Sequence, residues 1–227
     1  MKYHIVTFGC QVNHSDSERI ASVLETMGYQ KTLKIQEADL VVINACSVRQ
    51  SATDRILGQK PKIKKTAQTI LTGCLVAQDK KKLTSHFDFI LNIQDLSQWP
   101  KIITNSTPAI QAKPSKLSCN YLKIQPNYQT WPIAYVPISS GCNNFCAYCC
   151  VPYTRGREVS RSASEIVREV KNLIQQNYKE IWLLGQNVNS YRFQNTNFPK
   201  LLEKINKLKG DFWIRFTSPH PKDFSDE

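Results

Sequence analysis

Apolar positions in the first hundred residues form short runs, set apart by stretches of helical spacing. KYHIVTF, residues 2–8, is an apolar, β-rich run. SDSERIASVLETMG, residues 15–28, follows as an amphipathic helix, with Ser15 at the N-cap, Glu18 three residues on and Gly28 closing it. ADLVVINA, residues 38–45, is continuously apolar enough for a buried strand, and a helical stretch runs from about Ser47 until Gly58 and Pro61 break it. QTILTG, residues 68–73, and FDFILN, residues 87–92, give two more strands. Alternation of this kind predicts an α/β fold of βαβ units around a parallel sheet.

The pattern lapses at residues 105–118, NSTPAIQAKPSKLS, which are polar and hold two prolines. It then restarts as a second βα series. AYVPISSG (134–141), EIWLLG (180–185) and FWIRFTS (212–218) read as strands. SASEIVREVKNLIQQN (162–177) and FPKLLEKINKLKG (198–210) read as helices, the second stopped by Gly210. The expected organisation is a sheet domain over 1–104, a linker over 105–133 and a second α/β domain over 134–227.

Composition narrows the class. The chain has 227 residues, 41% hydrophobic and 21% charged, as in a globular protein. It has no apolar run of about 18 residues and no basic-then-apolar start, so a cytoplasmic protein with no membrane partner is expected. Lys and Arg outnumber Asp and Glu by 30 to 18, and the net charge of +12 points to a polyanionic partner or to a merely solvated basic face. The eight cysteines are too dilute for a disulfide scaffold. Metal or catalytic use is the better reading.

The cysteines fall in places that matter. Cys10, Cys46 and Cys74 each follow a β-run, in the settings FGCQVN, NACSVR and TGCLVA. The C-terminal ends of parallel strands share one edge, where ligands bind, so three thiols distant in sequence are expected to converge. Cys142, Cys146 and Cys149 form a tight Cys-x-x-x-Cys-x-x-Cys loop after the strand AYVPISSG. Three thiolates hold three corners of an iron–sulfur cube and leave one iron open. Structural zinc is the competitor, but it wants four ligands, and Cys146-x-x-Cys149 lacks a partner pair. Cys150 adjoins Cys149 and would join the same tetrahedron awkwardly. The spacing therefore favours iron–sulfur, with Cys119 and Cys150 as packing or spare thiols.

With these residues placed, the sequence resembles the radical S-adenosylmethionine methylthiotransferases. TFGCQVN, INACSVR and TGCLVAQ match the N-terminal domain of that family, and GCNNFCAYCCVPYTRGREVSR, LLGQNVNSY and RFTSPHPKDFSDE match further along. GCQVN, PYTRGREVSR and GQNVNSY are most similar to the tRNA branch, which makes 2-methylthio-N-dimethylallyladenosine beside the anticodon. The resemblance implies a partial radical-S-adenosylmethionine barrel for the second domain. It also implies two [4Fe–4S] clusters, one on Cys142, Cys146 and Cys149 and an auxiliary one on Cys10, Cys46 and Cys74. The first would bind S-adenosylmethionine at its open iron and cleave it to a 5′-deoxyadenosyl radical. The second would carry or supply the sulfur. Implied partners are tRNA and an electron donor such as a flavodoxin or ferredoxin.

Other residues carry two readings each. Tyr148 lies against the adenine of the cofactor or packs on the barrel. Gln186 and Asn187, at a strand-to-loop junction, bind cofactor or make an ordinary turn. Arg155, Arg157 and Arg161 meet phosphate or form a solvated face. The lysines of KPKIKK and DKKK read first as solvated, with tRNA steering second, and His4, His14, His86 and His220 as structural or surface. The family's members continue past the point where FSDE ends this chain, through the rest of the barrel, so the N-terminal half of such an enzyme is expected. The rival readings are a methylthiotransferase for threonylcarbamoyl-adenosine or for a ribosomal aspartate, and a non-catalytic cluster- or zinc-binding module that holds RNA.

Overall fold

A computed structural model describes residues 1–46, 51–105 and 120–224, with backbone alone at 51–53. Within it the chain divides into two compact units, Met1–Asn127 and Tyr128–Glu227. The expected helix start at Ser47, most of the proline-containing segment, Cys119 and the last three residues lie outside the described residues.

The first unit is a five-stranded sheet in the order β2-β1-β3-β4-β5. Its strands are β1 (Lys2–Phe8), β2 (Gln30–Lys31), β3 (Leu40–Cys46), β4 (Gln68–Cys74) and β5 (Phe89–Ile90), every pairing parallel. The helices are α1 (Gln11–Thr26), α2 (Ser51–Leu57), α3 (Ala77–Leu83) and α4 (Trp99–Thr104). β3 is central and buried on both faces, which explains its unbroken apolar run. Its alternate residues feed two cores: Leu40 and Val42 pack with Ile20, Leu24, Ile70 and Trp99, while Val41, Ile43 and Ala45 pack with Ile56, Leu71 and Leu83. Tyr121 and Leu122, inside the expected linker, are buried in the first of these cores.

The second unit is built on a parallel sheet β12-β9-β6, with β6 at Ile133–Pro137, β9 at Glu180–Leu184 and β12 at Trp213–Phe216. Two short strands, β7 (Ser139–Ser140) and β8 (Val159–Ser160), pair antiparallel, and β10 (Arg192–Phe193) and β11 (Thr196–Asn197) form a hairpin. Helices α5 (Val151–Thr154), α6 (Ala163–Gln175) and α7 (Phe198–Asn206) complete it. Ile166, Val170 and Leu173 of α6 and Leu201 and Ile205 of α7 close one core against Val136, Ile181 and Leu183. The outer strand β12 leaves Trp213 66% and Phe216 42% exposed. No helix among the described residues is long and apolar enough to cross a membrane.

Candidate functional site

The first set of cysteines sits at the C-terminal ends of parallel strands. Cys46 and Cys74 are the last residues of β3 and β4 and are direct partners in register. β1 pairs with β3 up to Phe8 opposite Ala45, and Cys10 lies two residues beyond. The three thiols thus stand on one edge of three adjacent strands. They grade in exposure, from exposed Cys10 through half-buried Cys46 to buried Cys74. Gly73 takes a φ of +110°, and a Cβ there would lie 2.0 Å from the carbonyl oxygen of Ala45, so only glycine lets β4 deliver Cys74 at this height.

The second set sits in a loop clamped at its base. β6 does not run through to Gly141: the chain crosses at Ile138, and Ser139 and Ser140 pair instead with Ser160 and Val159. That small ladder closes residues 141–158 into a loop. Cys142 N–H donates to the Gly156 carbonyl at 3.1 Å and Cys149 N–H to that of Cys146 at 2.9 Å. Gly141, at φ +85°, passes so close to Arg157 that a Cβ would meet the Arg157 carbonyl oxygen at 2.1 Å. Burial pushes the Cys142 thiol up, a backbone hydrogen bond from Asn144 opposes the rise, and the nearby Glu158 adds to it. None of the seven described cysteines forms a disulfide.

Side chains from the next strand ends close around this loop. Gln186 Oε1 accepts the Gly141 N–H at 2.5 Å. Asn187 is buried, and its Nδ2 donates to Asp223 Oδ2 at 2.6 Å. Asn187 Oδ1 and Ser139 Oγ are buried and have no hydrogen-bond partner among the described residues, which fits a polar ligand at this edge. Tyr148 is 90% exposed among the described residues. Of the three arginines assigned to phosphate or solvent, Arg155 and Arg161 are buried and Arg161 is paired with Glu169; Arg157 alone is exposed, its guanidinium 4.3 Å from the centre of the Phe145 ring.

Several residues of the site escape sequence reasoning. His220 Nε2 lies 3.5 Å from Cys146 Sγ, although no metal spacing to another histidine marks it. Asp223 accepts from both Asn187 and Asn144. The only signal for either is their place in the string SPHPKD. Asn13 and Asn44 lie beneath the first cysteine set, and nothing but proximity to Cys10 and Cys46 in sequence hints at them.

A soft, all-thiolate donor set of three per site fits an iron–sulfur cube with one iron open. Among the described residues no three His, Cys, Asp or Glu side chains are gathered as for a single metal ion.

Two family models match the chain, one within each unit. Residues 2–93 match the model of "Uncharacterized protein family UPF0004", and residues 136–226 match that of the "Radical SAM superfamily". Proteins named tRNA-2-methylthio-N(6)-dimethylallyladenosine synthase are similar along the chain. That of Dictyoglomus thermophilum is 40% identical over 100% of this chain and 54% of its own. That of Caldicellulosiruptor saccharolyticus is 41% identical over 99% and 51%, and that of Clostridioides difficile 38% over 97% and 50%. The chain spans about half the length of these curated relatives. Among solved structures, the radical S-adenosylmethionine methyltransferase TsrM from Kitasatospora setae matches with a TM-score of 0.56 at 11% identity, over 89% of this chain and 52% of its own, a likeness of fold.

Proposed function

We propose, for a chain related over its whole length to the radical S-adenosylmethionine methylthiotransferases, that it works in adding a methylthio group to dimethylallyl-adenosine next to the anticodon of tRNA. The observation that carries this reading is the pair of three-cysteine edges, one in each matched region. In this reading Cys142, Cys146 and Cys149 hold one [4Fe–4S] cluster and Cys10, Cys46 and Cys74 a second. When bound, the first cluster with S-adenosylmethionine supplies the radical chemistry that an inert adenine C–H demands, and the second supplies the sulfur.

The chain's own residues prepare the place. Gly141 and the β7–β8 ladder hold the cysteine loop against the strand ends. Gln186 fixes the loop's first residue through the Gly141 N–H, and Asn187 offers its unpaired Oδ1 to a polar group of the cofactor. Tyr148 projects free of the protein, available to the adenine of S-adenosylmethionine. tRNA is the partner expected from the relatives' name and from the net charge of +12, with a flavodoxin or ferredoxin as electron donor.

The test is iron and acid-labile sulfide per chain after anaerobic reconstitution. The parent holds about eight irons, and replacing either cysteine set by alanine leaves about four. Zinc with little iron would overturn the reading. Nucleoside analysis of tRNA from a deletion strain then checks the substrate: 2-methylthio-dimethylallyl-adenosine disappears, whereas loss of a threonylcarbamoyl derivative instead would move the chain to another branch.

A further inference from the structure

Below the edge that carries Cys10, Cys46 and Cys74 lies a buried pair of side-chain amides. Asn13 sits in the first turn of α1, three residues after Cys10, and Asn44 sits in β3, two before Cys46. Both are fully buried. Asn13 Nδ2 donates to Asn44 Oδ1 at 3.0 Å, and Asn44 Nδ2 donates to the Asn13 carbonyl at 2.8 Å and to Ser17 Oγ at 3.0 Å. A carbonyl oxygen only accepts, so the orientation of Asn44 is fixed, and through it that of Asn13. Asn13 Oδ1 is thereby turned toward Cys10. It accepts the Cys10 N–H at 3.3 Å and lies 3.6 Å from the Cys10 sulfur.

The same pair touches the other two cysteine segments. A Cβ on Gly9 would lie 2.2 Å from Asn13 Oδ1, and one on Gly73 would lie 2.7 Å from Asn44 Oδ1. Gly9 thus leaves room for the Asn13 amide, and Gly73, whose closest approach is to the Ala45 carbonyl, also lies against that of Asn44. β3 carries Asn44 and Cys46 on the same face, since they are two residues apart. One hydrogen-bonded unit therefore meets the residue before Cys10, the residue before Cys74 and the strand end that holds Cys46. A helix cap alone would need only the reciprocal bonds between Cys10 and Asn13.

We infer that Asn13 and Asn44 are positioning residues for a metal cluster on this edge, setting the spacing of three ligands that come from three separate strands. The inference rests on the reading that Cys10, Cys46 and Cys74 hold a cluster. It is tested in the full chain with Cys142, Cys146 and Cys149 replaced by alanine, so that all iron reports the first unit. Asn44→Leu keeps the size of the side chain and removes its amide hydrogen bonds. Leu24→Ala, in the core under α1 and away from the cysteines, serves as a control that only destabilises the unit. Well below the melting temperature of each protein, a chelator strips iron at least tenfold faster from Asn44→Leu than from the parent, and the spectrum of its reduced cluster changes. Leu24→Ala strips at the parent's rate with the parent's spectrum. Parent-like stripping in Asn44→Leu, or equally fast stripping in Leu24→Ala, overturns the inference. Should Asn44→Leu fail to fold, the isosteric Asn13→Asp, which keeps the acceptor for the Cys10 N–H and removes the donor to Asn44, takes its place with the same two outcomes. A parent that takes up no iron removes the proposed function and this inference together. A parent that takes up iron while the variants match it removes the inference alone.

Discussion

At the scale of single residues, burial in the first unit reaches a charged group. Lys80 belongs to the basic run after Cys74, which reads from sequence as a solvated face. Its neighbours Lys81 and Lys82 are indeed exposed, but Lys80 is half-buried, and its Nζ donates to Asn92 Oδ1 at 3.0 Å. Burial lowers its pKa below the ordinary 10.5. Between that lowered value and 10.5 the unfolded chain binds the extra proton and the folded chain does not. This group therefore makes the protein more stable as pH rises through that window, and costs stability below it. Lys80→Met keeps the apolar stem and removes the charge. Its unfolding free energy relative to the parent is expected to be most favourable below the lowered pKa and to decline as pH rises through the window up to 10.5, as read by urea unfolding. A difference that stays constant with pH would mean the lysine keeps its full hydration.

At the scale of elements, the buried ion pair that ties the residue after β8 to α6 gives the clearest prediction. Arg161 donates to Glu169 at 2.6 Å with both side chains below 10% exposure, donates to the Pro137 carbonyl at 2.7 Å, and shares Glu169 with the hydroxyl of Tyr128. Removing Glu169 strands a buried guanidinium. Glu169→Ala is expected to cost about 3–5 kcal/mol, whereas Arg157→Ala, on an exposed cation, is expected to stay within about 0.5 kcal/mol; denaturant unfolding of the two compares them. The interlocked elements also explain which parts of the fold are legible in sequence. β1, β3 and β4 read off directly because an apolar run bounded by loops has few alternatives, and the cysteines read off with them because parallel strands end on one edge. The start of α1 does not. It begins at Gln11, where Cys10 and Asn13 share the capping role, and Ser15 is instead an acceptor for Arg19 inside the helix. The last strand, read over 87–92, shrinks to two residues because Asp88 takes the Thr69 N–H with its carboxylate at 2.7 Å in place of a backbone ladder. The break at Ile138 is set by Arg161 and Leu184, 23 and 46 residues on, and the burial of Arg161 by the Pro137 carbonyl and Glu169. No local pattern announces them, and the same holds for Asn13 and Asn44, whose roles exist only once α1 lies on β3.

At the scale of the whole molecule, the charge of +12 has a direction within the first unit. The lysines of KPKIKK precede β4 and so lie by the N-terminal edge of the sheet, while the cysteines lie at the C-terminal edge. A strand of seven residues separates the two edges by about 23 Å, well beyond a Debye length of about 8 Å at physiological salt. Lys64 is moreover paired with Asp39 at 3.4 Å, and Lys60 lies over the Phe87 ring. Charges at that edge cannot steer a polyanion to the cysteines. Lys81 and Lys82 stand differently: α3 begins three residues after Cys74, and both side chains are exposed. The affinity of the chain for tRNA is therefore expected to fall linearly with the logarithm of salt concentration. Lys81→Gln with Lys82→Gln flattens that line by up to about one unit of slope for each phosphate no longer neutralised. Lys62→Gln with Lys65→Gln leaves it unchanged, although it removes the same formal charge. Filter binding over a salt series separates the two pairs. Equal flattening by both would mean that tRNA spreads over the unit without regard to the cysteine edge, and the proposed site would lose its claim to be where the substrate is drawn.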